Sequence, residues 1–310
     1  YHENGQLKKI GNYINGIENG LFKEYDEDGN IDAEYTMLNG LMNGSFKRYS
    51  NGKLIKSGSF IKGKQEGPFT EYDESGAKTA EYFMTNDMKN GLVKVFENGK
   101  LSYSTTFQND IQTGKYTEYY YNEEDGELSL INYGEHLDDE KHGTWKLFII
   151  EDGKERLLTV ENYANGIKNG LFQEIKGDSL IICTYKNEIL DGEYKVYIDI
   201  SKILFGGVIR TKVSDLALIS EGRYYNGLKN GYWKNYDILG SLREEGSYLN
   251  DLENGEWRYY YVNLHDTAGV ELPYAKKLYL IANYTNGKLN GKSTRYSFLT
   301  TEKYPCSEVD

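Results

Sequence analysis

Aromatic residues and glycines recur along this chain with a fixed spacing. A glycine is followed two residues later by one aromatic residue and five residues later by another, as in Gly231, Trp233 and Tyr236. Aromatic and polar residues alternate in these segments, which is the pattern of a β-strand with one buried face. The triplet begins at Gly20, Gly44, Gly67, Gly114, Gly143, Gly192, Gly231 and Gly255, with degenerate copies at Gly91, Gly170 and Gly291. The pattern therefore predicts about eleven strand-forming repeats.

A further aromatic residue usually lies seven residues before the repeat glycine, and a turn separates the two. Between Tyr224 and Gly231, for example, the segment 226–231 is rich in residues that tolerate positive φ. Asn-Gly pairs, a strong hairpin signal, connect repeats at residues 51–52 and 98–99, which are 47 positions apart. Each repeat is therefore predicted to be strand, turn, strand, and the full period is a pair of repeats.

The residue two positions before the strand aromatic is nearly always small. Side chains two apart share a face of a strand, so a small residue there leaves room for a ring to lie on the backbone. The small residues are Gly11, Ala33, Gly58, Ala80, Thr105, Cys183, Gly222, Gly246 and Ala282, with Ile131 and Glu161 as exceptions. We therefore expect a ladder of aromatic rings along one face, with Cys183 in a packing position.

The composition favours a thin sheet over a thick core. Only 38% of the residues are apolar, and 30 tyrosines supply much of the surface that can be buried. Tyrosine packs through the flat of its ring and keeps its hydroxyl near water. We therefore predict an all-β fold, an extended twisted single-layer antiparallel sheet. This β-hairpin repeat array, or β-meander, is expected to occupy residues 1–310 as one domain.

The segment from Tyr224 to Tyr236 has the pattern Tyr-x-Asn-Gly-x-x-x-Gly-x-Trp-x-x-Tyr. This pattern resembles the variant MORN repeat of YwqK-like antitoxins, and the resemblance covers nearly all of the chain. It implies a long twisted sheet of stacked hairpins, and it implies protein binding instead of catalysis. The chain departs from the pattern at about 135–141, which is expected to enlarge one turn, and at 198–217 and 261–277, which lengthen two hairpins. Residues 300–310 are expected to form a C-terminal cap or tail.

The charge of the chain bears on its partners. A formal charge of −12 disfavours nucleic acids and anionic membranes, because both are bound by clustered lysine and arginine. A basic protein is the better match. The absence of a long apolar stretch and of a signal peptide favours the cytoplasm. The start at Tyr1 without methionine leaves a secreted or cell-surface protein as the alternative.

The sequence carries no recognisable catalytic or cofactor-binding motif. No Cys-x-x-Cys, His-Glu-x-x-His or phosphate-loop spacing occurs, and the calcium-loop pattern is absent. We therefore predict no enzyme, no cofactor and no metal site. Among the four histidines, His142 and His136 are expected to lie in or beside a turn, and His265 is the one with a candidate role.

The candidate partner-binding residues fall into two groups. Three acidic turns should meet at one rim of the sheet and steer a basic partner. The long insertions should carry specific contacts. The residues are Asp26, Glu27, Asp28, Asp73, Glu74, Glu123, Glu124 and Asp125 in the turns, and Phe205, His265 and Asp266 in the insertions. The leading hypothesis is an antitoxin or immunity protein that binds a bacterial toxin, and the alternative is an exported or surface-attached adhesin or scaffold.

Overall fold

The computed structural model describes residues 1–199, 216–262 and 277–296. All the regular structure within these ranges is β-strand. The strands form one open antiparallel sheet of 27 strands, and two further strands pair as a small separate hairpin. The predicted all-β hairpin array is therefore confirmed. These ranges contain no helix long and apolar enough to cross a membrane.

Successive hairpins pair along the chain, which makes the sheet a meander, and some strands also pair across the short strands between them. The contacts divide the chain into two units, Tyr1–Leu157 and Leu158–Asp310. The first unit contains β1 (Lys9–Ile10), β2 (Tyr13–Ile14), β3 (Ile17–Glu18), β4 (Gly20–Tyr25), β5 (Ile31–Leu38), β6 (Leu41–Ser50), β7 (Lys53–Ile61), β8 (Lys64–Gln65), β9 (Gly67–Tyr72), β10 (Lys78–Thr85), β11 (Met88–Lys89), β12 (Gly91–Glu97), β13 (Lys100–Gln108), β14 (Ile111–Tyr121), β15 (Leu128–Leu137) and β16 (Glu140–Glu151).

The strand β17 (Lys154–Ala164) crosses the boundary between the units. The second unit continues with β18 (Ile167–Lys168), β19 (Gly170–Lys176), β20 (Ser179–Lys186), β21 (Ile189–Asp199), β22 (Leu216–Tyr225), β23 (Leu228–Tyr236), β24 (Leu242–Leu249), β25 (Leu252–Glu253), β26 (Gly255–Tyr260), β27 (Leu278–Thr285), β28 (Lys288–Leu289) and β29 (Thr294–Arg295). The expected insertion at 198–217 therefore begins and ends in paired strands, since Ile198 faces Ala217 and Asp199 faces Leu216.

A tight two-residue turn lies at the centre of each repeat. Both turn residues have positive φ, for example 50° at Asn15 and 79° at Gly16, which is the backbone of a type I′ turn. This turn matches the right-handed twist of the strands that it joins. The turns of the described residues are at 15–16, 39–40, 62–63, 86–87, 109–110, 138–139, 165–166, 187–188, 226–227, 250–251 and 286–287. Their number agrees with the eleven predicted repeats.

The repeat glycine forms a β-bulge instead of ending a six-residue turn. In the first repeat the turn closes at residues 15–16, and the N–H of Asn19 donates to the carbonyl of Asn12 within the continuing strand pair. Gly20 follows with φ 92°, a conformation that a side chain would strain. The expected longer turn is therefore a two-residue turn followed by a bulge.

The expected enlarged turn at 135–141 is also absent from the structure. Strand β15 continues to Leu137 and strand β16 begins at Glu140, so only Asp138 and Asp139 form the turn. His136 and Lys141 face each other in the ladder. The sequence suggested a long loop because this repeat lacks the usual aromatic residue, but its backbone follows the common pattern.

One face of the sheet, the ring face, carries the buried aromatic residues. The three tryptophans are at most 2% exposed. Each indole covers a glycine of the preceding strand, and the position that a Cβ would take on Gly222 is 2.2 Å from the ring of Trp233. The same arrangement pairs Gly11 with Phe22, Gly58 with Phe69, Gly134 with Trp145 and Gly246 with Trp257. The expected ring ladder over small residues is therefore present.

Candidate interaction surfaces

The three predicted acidic turns lie on the same rim of unit 1. In a meander, alternate connections fall on the same side, and the turns at 26–30, 73–77 and 122–127 alternate with the two-residue turns described above. Hydrogen bonds link them to the Asn-Gly turns beside them, such as the bond from Asn4 Nδ2 to the carbonyl of Glu27. Successive acidic turns are four strands apart, which is about 19 Å at the usual strand spacing. We call this side the acidic rim.

The first carboxylate of these turns has a structural role. Asp73 Oδ1 accepts hydrogen bonds from the N–H of Ser75 and Ala77 and from the Ser75 hydroxyl. The Ser75 hydroxyl, together with these backbone groups, holds the pKa of Asp73 below its ordinary value. Asp26 accepts equivalent bonds from the N–H of Asp28 and Asn30. These two aspartates therefore fix the turn conformation.

The third turn is built differently. Asn122 Oδ1 accepts from the N–H of Glu124, and Asp125 accepts from the N–H of Glu127 and from Asn122 Nδ2. Five other carboxylates of the candidate set are exposed and form no hydrogen bond or ion pair with the described residues. They are Glu27, Asp28, Glu74, Glu123 and Glu124. These five side chains are the part of the acidic rim that is available to a partner.

The opposite rim is a ladder of hydrogen bonds between successive turns. Asp110 Oδ1 accepts from the N–H of Lys89 at 2.7 Å, and the N–H of Asp110 donates to the carbonyl of Lys89. The same reciprocal pair joins Asp87 to Gln65 and Asp139 to Gln112 in unit 1. In unit 2 it joins Glu188 to Lys168 and Asp251 to Lys229. Sequence analysis did not detect this role. The available signal is an acidic residue at the second position of the turn, directly after asparagine or aspartate.

On the ring face, a lysine, a phenylalanine, a glutamate and a tyrosine form a group that repeats after 47 residues. Tyr82 Oη donates to Glu71 Oε1 at 2.7 Å, and Lys56 Nζ lies 3.0 Å from the same oxygen. The ammonium of Lys56 also lies 5.6 Å from the ring centres of both Phe69 and Tyr82, within the range of a cation–π interaction. The earlier copy consists of Lys9, Phe22, Glu24 and Tyr35. Because the lysine and the glutamate of each group neutralise each other, the group has a structural role in packing the ring face.

His136 occupies a ring position. It lies seven residues before Gly143, and its ring packs edge-on against Tyr116 at 5.1 Å and Trp145 at 5.0 Å. Its Nδ1 atom is buried and has no hydrogen-bond partner among the described residues. Burial, followed by the nearby charge of Lys141, lowers the pKa of His136 below its ordinary value. The expected place of His136 within a turn at 135–140 was therefore wrong, because the residue lies in strand β15 and its side chain belongs to the ring ladder.

The remaining candidates lie outside the described residues. Phe205 belongs to the segment 200–215, and His265 and Asp266 belong to the segment 263–276. The expected cap or tail at 300–310 is also outside the described ranges. Cys183 is buried in the ring ladder opposite Tyr194, and burial raises the pKa of its thiol to about 11. Within the described ranges, no group of three or more His, Cys, Asp or Glu residues is arranged to hold a metal ion.

Comparison with known proteins gave little likeness. No family model matches the chain, and no curated protein matches it. One solved structure that was found is described as "Crystal Structure of TcdB2-TccC3-Cdc42", with 13% identity and a TM-score of 0.13. The match covers 89% of this chain and 19% of that one, so this chain spans about a fifth of its length. A TM-score this low supports no conclusion about fold or function.

Proposed function

We propose that this chain is a non-catalytic protein-binding repeat protein, an antitoxin or immunity protein that neutralises a basic toxin by direct binding. The observation that carries the proposal is the set of five unengaged carboxylates on the acidic rim, Glu27, Asp28, Glu74, Glu123 and Glu124. Turn formation explains Asp26, Asp73 and Asp125 but does not require these five. Regularly spaced carboxylates on a rigid sheet produce a negative field that attracts a basic surface.

The charge of the whole chain supports the same partner. The formal charge is −12, and some lysines of unit 1 are already paired with glutamates on the ring face, as Lys9 is with Glu18 and Lys56 with Glu71. A surface of this kind contributes to the rate of encounter more than to the lifetime of the complex. The proposal therefore predicts a kinetic effect that salt suppresses, because the Debye length falls to about 8 Å at physiological ionic strength.

The first test is genetic. Each protein encoded next to this chain's gene is expressed in a bacterial host, alone and together with the full chain. The proposal expects one basic gene product that stops growth when expressed alone, and it expects the full chain to restore growth and to co-purify with that product. If no neighbouring product is both toxic and neutralised by the chain, the antitoxin proposal is wrong.

The second test locates the contact. We expect the variant Glu27→Gln/Glu74→Gln/Glu123→Gln/Glu124→Gln to associate with the toxin several-fold more slowly at low salt, and the difference to vanish at high salt. The control neutralises four exposed glutamates away from the acidic rim, Glu135, Glu140, Glu193 and Glu256, of which Glu193 pairs with Lys195 and Glu256 with Arg258. Equal association rates for the two variants would show that net charge, and not the rim, attracts the partner.

A further inference from the structure

The face of the sheet opposite the ring face, the back face, carries an apolar surface in the first three repeats. Most of its side chains flank the two-residue turns, and Leu21 lies further along its strand. Each side chain is between 48% and 59% exposed. We call this surface the aliphatic band, and it consists of Ile14, Ile17, Leu21, Leu38, Leu41 and Ile61. Single exposed apolar residues are ordinary, but a contiguous group marks an interaction site.

Close approaches between neighbouring turns make the band continuous. Ile17 Cγ2 lies 3.4 Å from the position that a Cβ would take on Gly40, and Leu41 Cδ2 lies 3.6 Å from that position on Gly63. Ile14 faces Ile17 across the first turn, and Leu38 faces Leu41 across the second. Leu21 faces Thr36, which lies two residues before Leu38 on the same face. The neighbouring row continues with uncharged residues, Ser45 opposite Ser59 and Pro68 opposite Phe83. The back face beside the first two turns is therefore uncharged, whereas at the third turn Ile61 faces Lys64.

The spacing of the band matches an α-helix. Successive two-residue turns at 15–16, 39–40 and 62–63 are separated by two strands, or about 9.6 Å at the usual strand spacing. Residues seven apart on an α-helix are separated by about 10.5 Å, at a rise of about 1.5 Å per residue. Two heptads of a helix would thus place apolar side chains against three successive turns.

The charges around the band define the flanks of such a helix. Lys47, Lys62 and Lys64 are exposed, border the band and form no ion pair with the described residues. The carboxylate in the same row, Glu34, is already held by Lys23 at 2.7 Å and by the Tyr49 hydroxyl. The surroundings of the band are therefore locally basic, although the formal charge of the chain is −12.

We propose that the aliphatic band binds an amphipathic α-helix of a partner protein, with an apolar stripe that repeats every seven residues and acidic residues on its flanks. The helix fills the strip between the rim and the row of Lys47, and its carboxylates meet the three lysines. This binding mode, a helix laid on an apolar surface, relies on apolar anchors at heptad positions. It does not depend on the acidic rim, and it holds whether or not the antitoxin proposal is correct.

Two other occupants are possible in principle, and charge argues against both. A second copy of the chain, related by a twofold axis, would bring the lysines around one band close to those around the other. An anionic membrane would attract the three lysines but repel a chain with a net charge of −12. Each of these occupants gives a distinct result in the test below.

The probe is a synthetic 21-residue helical peptide, about three heptads, with leucines at the two apolar heptad positions and glutamates on both flanks. Binding to the full chain is measured by fluorescence anisotropy. We expect the peptide to bind, and a peptide with lysines in place of the glutamates to bind much more weakly. In the variant Ile17→Ser/Leu38→Ser/Leu41→Ser we expect affinity for the acidic peptide to fall at least about tenfold, because apolar anchors dominate such contacts.

The matched control changes the same kind of turn-flanking residue in the second unit, Leu228→Ser/Leu249→Ser/Leu252→Ser, and should keep wild-type affinity. A second variant, Lys47→Glu/Lys64→Glu, should reverse the preference from the acidic to the basic peptide. The far-ultraviolet circular dichroism spectrum checks that each variant keeps its sheet.

Several results would overturn the proposal. No binding of the acidic peptide, or equal weakening by the two serine variants, would show that the band is not a helix site. Band-dependent association of the chain with itself in the ultracentrifuge would assign the surface to a second copy. Band-dependent binding to vesicles of phosphatidylcholine, with or without phosphatidylserine, in the absence of peptide binding would assign it to a membrane.

Discussion

The Tyr82 hydroxyl donates a 2.7 Å hydrogen bond to Glu71. The equivalent bond in the copy that lies 47 residues earlier in the chain joins Tyr35 to Glu24. Both tyrosines are at most 9% exposed. Burial opposes ionisation of Glu71, but the bonds from Tyr82 and Lys56 outweigh it and lower the pKa of this carboxyl. The ring ladder is therefore fixed by polar bonds as well as by ring packing.

The first prediction concerns a variant that lacks the hydrogen bond between Tyr82 and Glu71. The Tyr82→Phe variant should lose about 1 kcal/mol of unfolding free energy, because Glu71 loses a hydrogen-bond donor. The control is Tyr72→Phe, since the Tyr72 hydroxyl makes no hydrogen bond within the described residues and its loss should cost little. Urea unfolding of both variants, followed by tryptophan fluorescence, gives the comparison. Equal stability of the two variants would mean that the bond contributes nothing.

The second prediction concerns the close approach of Trp233 to Gly222. A methyl group on Gly222 would occupy space that the indole fills, so Gly222→Ala should destabilise the chain by about 1–3 kcal/mol. Elsewhere in the sheet, a tyrosine at the ring position faces a residue that has a Cβ atom, as Tyr194 faces Cys183. The double variant Gly222→Ala/Trp233→Tyr should therefore lose less stability than the sum of the two single changes. Simple additivity in thermal unfolding would rule out the steric explanation.

The periodic part of the fold was predictable because each repeat contains its own turn and strand signals. Asn226 and Gly227 specify a type I′ turn, and Gly231 supplies the positive φ of the bulge. Small residues such as Gly58 indicated where a ring would lie. Local signals of this kind do not depend on distant contacts, so the number of repeats and the ring face followed from the sequence.

The roles of individual polar residues were less predictable. Sequence analysis grouped Asp26 with Glu27, but the backbone directs only the Asp26 carboxylate into the turn, and a composition pattern does not distinguish the two. Likewise, the acidic residues at 135–140 suggested a turn that includes His136, whereas the spacing of His136 from Gly143 is that of a ring residue. That spacing was the available signal. The bonds that decide the role of Asp26 are local and depend on the turn conformation. The packing of His136 against Tyr116 depends on the register of the strands.

The third prediction follows from the lowered pKa of His136. In the unfolded chain this histidine titrates near its ordinary pKa of about 6.5, and in the folded chain burial and Lys141 hold it lower. The unfolded state therefore binds more protons as the pH falls through about 6.5, and the folded state loses stability there. Above that pH both states are neutral at this site, and the stability is fully present.

The test compares wild type with His136→Phe, which keeps a ring between Tyr116 and Trp145. The urea midpoint of the wild type should fall more steeply between about pH 7.5 and about pH 5.5 than that of the variant. Other titrating groups are common to both proteins, so the difference isolates His136. Parallel pH profiles would show that its protonation does not affect folding.

The last prediction addresses the ladder of turns on the rim opposite the acidic rim. Asp110 has a φ of 65° and accepts the 2.7 Å bond from the N–H of Lys89. Asp110→Asn keeps an acceptor oxygen and a residue that tolerates this φ, so its stability should be close to that of the wild type. Asp110→Gly loses the bond, about 1 kcal/mol, but relieves the backbone, so the net loss should be below about 1 kcal/mol. Asp110→Ala loses the bond and retains the left-handed strain, which should total about 2 kcal/mol.

The order of these three variants separates the two causes. If the backbone conformation alone mattered, Gly would be at least as stable as Asn, as it is the residue found at the same turn position in residues 39–40 and 62–63. If the side-chain bond alone mattered, Gly and Ala would be equally destabilised. The ladder requires the order Asn, Gly, Ala in urea unfolding of the full chain. It also requires faster amide hydrogen exchange at Lys89 in the Gly and Ala variants only, because this N–H is the group that loses its acceptor.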